Sequence, residues 1–74
     1  MKIVICGAGQ VGFSIAEHLS EENNDVTIID ESQEQIQRVT DHHNVRGVIG
    51  VPSHPDILSK ADVGNADMLI AVTT

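Results

Sequence analysis

Ile3-Val4-Ile5-Cys6, running straight into Gly7-Ala8-Gly9-Gln10-Val11-Gly12, is the stretch on which the fold turns. Its first four residues are β-branched or apolar, too few for a helix, and read as a strand. The strand feeds into Gly-x-Gly-x-x-Gly. Beyond it Val11, Ile15 and Leu19 recur four apart, with Gly12 and Ala16 beside them, which predicts one apolar stripe on a helix of about three turns. As a bare pattern the glycines mean little; between a strand and a helix each has a physical use. Gly7 allows the tight turn out of the strand, Gly9 lets the backbone approach a pyrophosphate with no Cβ in the way, and Gly12 lets the helix pack closely on the sheet. Phosphates would then meet the free N–H groups and the positive dipole end of the helix.

Outward from this stretch the same alternation repeats. Val26-Thr27-Ile28-Ile29, Val45 to Ile49 and Met68-Leu69-Ile70-Ala71-Val72 are further short apolar runs. They are nearly continuous rather than alternating, as in strands covered on both faces of a parallel sheet. Asn23-Asn24-Asp25 stops the first helix. Ser32, with Gln35 three residues on, forms a capping box for a second helix from Gln33 to His43, with Ile36, Val39 and His43 on one face. Ser53 is expected to cap a short third helix, with Pro55 and Asp56 in its first turn, Ile57, Leu58 and Ala61 facing inward, and Gly64-Asn65 closing the segment. The order β-α-β-α-β-α-β with short connections predicts right-handed crossovers, a parallel sheet in the order 3-2-1-4 and a Rossmann-like α/β fold. Residues 1–74 then make one unit, the first half of such a domain, ending on the strand that joins the second.

Asp30 lies at the end of the second strand, 18 residues after Gly12, near the spacing of about 20 for the acid that binds ribose hydroxyls. Glu31 follows it. Two carboxylates repel a 2′-phosphate and no Arg or Lys lies nearby to accept one, so NAD- or ATP/ADP-type ligands are favoured over NADP. Where the strand order reverses, between the first and fourth strands, a crevice is expected, with Thr73 and Thr74 beside it. On this reading Asp30→Ala weakens NAD and changes little for a ligand that makes no ribose contact.

Composition narrows the partners. The chain has 74 residues, 4 basic against 11 acidic groups, a formal charge of −7, one cysteine and one aromatic residue, Phe13. Four scattered basic residues cannot build a phosphate-backbone stripe, so nucleic acid and anionic membrane are poor partners. One cysteine makes neither an internal disulfide nor a zinc site, which suits a reducing, cytoplasmic setting. No apolar run approaches the 18 or more residues that span a bilayer, so no direct membrane insertion is expected. Cys6, without a basic neighbour or resolving thiol, reads as a small buried hydrophobe. His42, His43 and His54 share no ligand geometry and read as solvated or helix-end residues, with His43 able to pack on the apolar stripe; no metal site is expected. Phe13 falls about 200° around the helix from Val11, away from the expected stripe.

Cys6-Gly-Ala-Gly-Gln-Val-Gly12, Val26-Thr-Ile-Ile-Asp30, Val48-Ile-Gly50, Ile57-Leu-Ser-Lys-Ala61, Ala66-Asp67 and Ile70-Ala-Val-Thr73 together resemble the N-terminal nucleotide-binding domain of the TrkA potassium-uptake regulators, also called the KTN or N-terminal RCK domain. The resemblance spans the chain. It implies a cytoplasmic regulatory subunit, peripheral to the membrane through a potassium transporter subunit, homo-oligomeric, binding NAD(H) or ATP/ADP without reacting it. The implied ligand contacts are Gly7, Ala8, Gly9, Gln10, Val11, Gly12, Asp30, Glu31, Gly50, Val51 and Thr73. Where the family usually carries a polar residue, a small residue and Thr after Gly50, this chain has Val51-Pro52-Ser53. Val51 removes a polar partner of the adenine and Pro52 a backbone donor. Two other readings are the cofactor half of an NAD-dependent oxidoreductase and a degenerate dimerisation module that binds nothing. No proton-transfer pair within the chain points to catalysis.

Overall fold

The two runs richest in β-branched residues, Ile3-Val4-Ile5 and Val26-Thr27-Ile28-Ile29, take the centre of the sheet, where both faces are covered. In the computed structural model, which describes residues 1–72, the strands are β1 (Lys2–Cys6), β2 (Asp25–Asp30), β3 (Arg46–Ile49) and β4 (Met68–Ala71). All pair in parallel, in the order β3-β2-β1-β4, as expected. Ile3, Val4 and Ile5 of β1 and Val26, Ile28 and Ile29 of β2 are buried. Each such side chain contributes about 1.5–3 kcal/mol relative to exposure. The edge strands are less covered, and Met68 and Leu69 of β4 are exposed.

Helices α1 (Gln10–Glu21) and α2 (Gln33–His42) cover one face and α3 (Pro55–Lys60), with a 3-10 turn at Val63–Asn65, the other. Alternation along the strands divides the core accordingly. Ile3, Ile5, Val26 and Ile28 meet Ala16, Ile36 and Val39, while Val4 and Ile29 meet Ala61 with Ile57, Leu58 and Val63 packed around it.

Helix α1 differs from its expected orientation. Its innermost residues are Gly12 and Ala16, and Val11 is 61% exposed. The inward stripe is thus centred about 100° round from Val11, because the close approach permitted by Gly12 turns that residue, not its neighbour, toward the sheet. Phe13 falls on the flank facing α2 and packs against the core, contrary to its expected place away from the apolar stripe. Its ring meets His43 edge-on at 5.0 Å, and the Arg38 guanidinium lies 4.7 Å above it. Nε2 of His43 sits 3.3 Å from Glu17 Oε2.

The caps also differ in detail. Ser32 accepts from the Gln35 amide at 3.3 Å, but its own N–H goes to Asp30, so only half of the capping box forms. Ser53 does not cap α3; His54 is the N-cap residue because Pro55 takes the first helical position and leaves Ser53 one residue too early. Asp62 turns the chain out of α3, adopting a left-handed conformation (φ 59°) and pairing with Lys2 Nζ at 2.5 Å, and Gly64-Asn65 close the segment as the end of the 3-10 turn.

Candidate functional site

A parallel sheet brings the carboxyl ends of its strands to one edge. Here that edge carries Gly7–Gly9 after β1, Asp30–Ser32 after β2, Gly50–Val51 after β3 and Val72 after β4. The sequence-predicted residues Gly7, Ala8, Gly9, Gln10, Val11, Gly12, Asp30, Glu31, Gly50 and Val51 therefore all belong to this edge or to the first turn of α1. Thr73 lies outside the described residues.

The three glycines of the turn are distinguished by what surrounds them. Gly7 has φ +116°, a region L side chains rarely adopt, and a Cβ there would lie 2.8 Å from the Val72 carbonyl oxygen. Gly12 passes so close to Gly7 that a Cβ would fall on the Gly7 carbonyl group. Both glycines are required by the protein's own packing. Gly9 is not. Its φ of −69° and ψ of −167° suit any residue, and a Cβ there would meet nothing within 4 Å. Gly9 is also the N-cap of α1 and no side chain caps that helix. The first amides of a helix have no partner within it, so a bare helix start opens onto a space that the glycine keeps clear.

Beside it, the strand ends are laced together through Ile29 and Asp30. The Ile29 carbonyl accepts from Gly7 N–H at 2.8 Å, and the Asp30 carbonyl from Gly50 N–H at 3.0 Å. The Asp30 carboxylate accepts from two further amides, Ala8 N–H on Oδ2 and Ser32 N–H on Oδ1, both at 2.8 Å. An ionised carboxylate offers about four acceptor positions, which leaves two for another donor. Glu31 and Gln10 are exposed. Gly50 is fixed by packing, since a Cβ would stand 2.6 Å from Ile57 Cγ1.

Ile49 belongs with this edge although its sequence context did not single it out. It is the register partner of Asp30 and is half exposed (50%), an apolar surface next to the carboxylate. Only the alternation within β3 could have exposed it, and a run of apolar residues hides which face each one takes. Cys6, half-buried at the end of β1, has its thiol pushed above the ordinary range by burial. His42 and His43 sit with Phe13 between α1 and α2, not at this edge. Among the described residues no three His, Cys, Asp or Glu side chains gather as metal ligands, and no helix is long and apolar enough to cross a membrane.

Comparison with known proteins agrees with this fold. A solved structure described as the Shewanella denitrificans Kef CTD in AMP bound form superposes with a TM-score of 0.81 at 25% identity, over 100% of this chain and 44% of that one. The Trk system potassium uptake proteins TrkA of Azorhizobium caulinodans and Vibrio alginolyticus are 63% and 51% identical to it over 73 residues, 99% of this chain. The chain spans 16% of the length of each of these two relatives. The family model for the TrkA-N domain matches residues 3–74, and the chain belongs to that family.

Proposed function

We propose that this chain is the N-terminal part of a nucleotide-binding regulatory domain of a Trk-type potassium uptake system, and that its carboxyl edge binds an adenine nucleotide without transforming it. The observation that carries the reading is Gly9, a glycine demanded by neither backbone conformation nor internal packing, at the uncapped start of α1. A ligand phosphate approaching the backbone accounts for it. The amides of Gln10, Val11 and Gly12 take the phosphates, the free acceptor positions of Asp30 take ribose hydroxyls, and Ile49 with Val51 flanks the base. Gly7, Ala8 and Gly50 shape the site, and Glu31 adds negative charge that disfavours a 2′-phosphate.

NAD or NADH is the first ligand and ATP/ADP the alternative; the AMP-bound relative supports the adenosine half shared by all of them. When bound, the nucleotide supplies a signal through differential affinity for two states of a larger assembly, not a reacting group. The partner is a membrane potassium transporter subunit, the regulator is cytoplasmic and homo-oligomeric, and neither nucleic acid nor lipid insertion is involved.

Thermal denaturation and calorimetry with NAD+, NADH, ADP, ATP, AMP and NADP+ test the reading. Ligand at a hundred times its Kd stabilises by about 2.7 kcal/mol, a rise of about 10 °C or more for a domain this small. Stabilisation by the nucleotides without a 2′-phosphate is expected. No response to any of the six, or a response to NADP+ alone, would overturn it.

A further inference from the structure

We propose that Asp30 is a positioning residue for the phosphate loop, holding that loop against α2 before any ligand arrives, in addition to offering acceptors to a ribose. Its two carboxylate oxygens accept from amides on two different connections, Ala8 N–H in the β1–α1 turn and Ser32 N–H at the start of α2. The Ser32 hydroxyl in turn caps α2 through the Gln35 amide. The backbone on either side of the carboxylate reaches the same turns, Ile29 holding Gly7 and Asp30 holding Gly50. One side chain and its flanking carbonyls thus gather three connections at the carboxyl edge. Bonds to an ionised acceptor are the strong ones, while Gly9 brings no side chain to the packing and is tied to α1 through its carbonyl, which accepts from Phe13 N–H at 2.8 Å. The path of the loop over Ala8 and Gly9 depends on this carboxylate.

The consequence departs from a purely ribose-binding role. A ligand with no ribose still needs the Ala8–Gly9 path in place, so loss of the Asp30 charge weakens phosphate binding as well. Asparagine makes the sharp test, because it keeps the shape but offers one acceptor where two amides need one each.

Two measurements examine the proposal, the first of them independent of the nucleotide reading. By amide hydrogen exchange on the unliganded protein, Ala8 and Ser32 are expected to be protected. In Asp30→Asn at least one of them exchanges on the order of ten- to a hundredfold faster, while Val39 in the middle of α2 does not change. Unprotected Ala8 and Ser32 amides in the wild-type chain overturn the proposal with no variant needed, as does unchanged exchange in Asp30→Asn. The second measurement, which rests on the proposed function, is calorimetric titration with inorganic pyrophosphate and with NAD+. Asp30→Asn is expected to lose on the order of tenfold or more for both. A variant that loses NAD+ but keeps wild-type affinity for pyrophosphate makes Asp30 a ribose ligand only and overturns the positioning role. If the wild-type chain binds neither, the nucleotide reading fails, and the exchange result alone decides the clamp.

Discussion

Gly9 and Gly12 belong to one motif, yet alanine at the two positions should have opposite consequences. At Gly12 the added methyl falls on the Gly7 carbonyl, with its carbon at 2.9 Å, and the obstructing atoms are backbone that cannot rotate away. The start of α1 must lift off the sheet. Overpacking of this kind costs about 1–3 kcal/mol, and a clash with backbone belongs at or above the upper end. Alanine recovers about 1 kcal/mol through helix propensity, leaving a net loss of about 2 kcal/mol. For a domain of this size that lowers Tm by about 8–16 °C. At Gly9 the conformation is ordinary and an added Cβ would meet nothing within 4 Å. Alanine gains about 0.4–1 kcal/mol from a less flexible unfolded chain and loses a similar amount, roughly 0.5–1 kcal/mol, as a poorer N-cap. Unliganded stability should hardly move. Nucleotide affinity should fall at least tenfold, since each tenfold is only about 1.4 kcal/mol and the methyl occupies the approach of the phosphate. Urea denaturation without ligand and calorimetry with it read the two effects separately. Gly9→Ala as destabilising as Gly12→Ala, or Gly9→Ala binding as tightly as wild type, would refute the assignment of Gly9 to the ligand.

Three other expectations follow from single groups. Burial pushes the Cys6 thiol up, so alkylation at pH 8 should be much slower in the native chain than in denaturant; equal rates would contradict it. The hydrogen bond from Lys2, then that from Asn65, holds the Asp62 carboxyl below its ordinary range. A depressed folded pKa stabilises above the unfolded value and is lost as pH falls through the folded one. Asp62→Asn should therefore flatten the stability profile on the acid side of the ordinary carboxylate range, with an unchanged acid limb as the contrary result. The outer edge of β4, with Met68 and Leu69 exposed, is a pairing template. The chain on its own should self-associate, and a clean monomer in sedimentation at high concentration would count against that.

The strands were legible because β-branched runs of four or five residues, separated by helical stretches, have few alternative arrangements. Orientation within α1 was less so. Val11, Ile15 and Leu19 make a convincing stripe on a helical wheel, but Gly12 carries no hydropathy signal, and it is the absence of its side chain that fixes which face approaches the sheet. The same rotation of α1 brings Phe13 onto the flank that meets α2. At α3, Ser53 and Pro55 both signal a helix start, and the proline sets the first position, which makes His54 the cap and leaves the serine one residue too early.

At the site, residue spacing located Asp30 but could not reveal its bonds. Which amides face a carboxylate depends on the path of the chain through Gly7, where φ is +116°, and no residue type encodes that Ala8 and Ser32 point the same way. The net charge illustrates the same separation between composition and place. By net charge alone, a chain at −7 is a poor host for an anion, yet Glu21 and Glu22 lie at the far end of α1 from Gly9. A 12-residue helix spans about 18 Å, roughly two Debye lengths at physiological salt, so those charges are screened from the glycine turn. The nearby carboxylate of Asp30 is already bonded to two backbone N–H groups. On the proposed reading a phosphate at Gly9 would meet the amide end of a helix, and the sign of that local field, not the sign of the whole chain, would govern its binding.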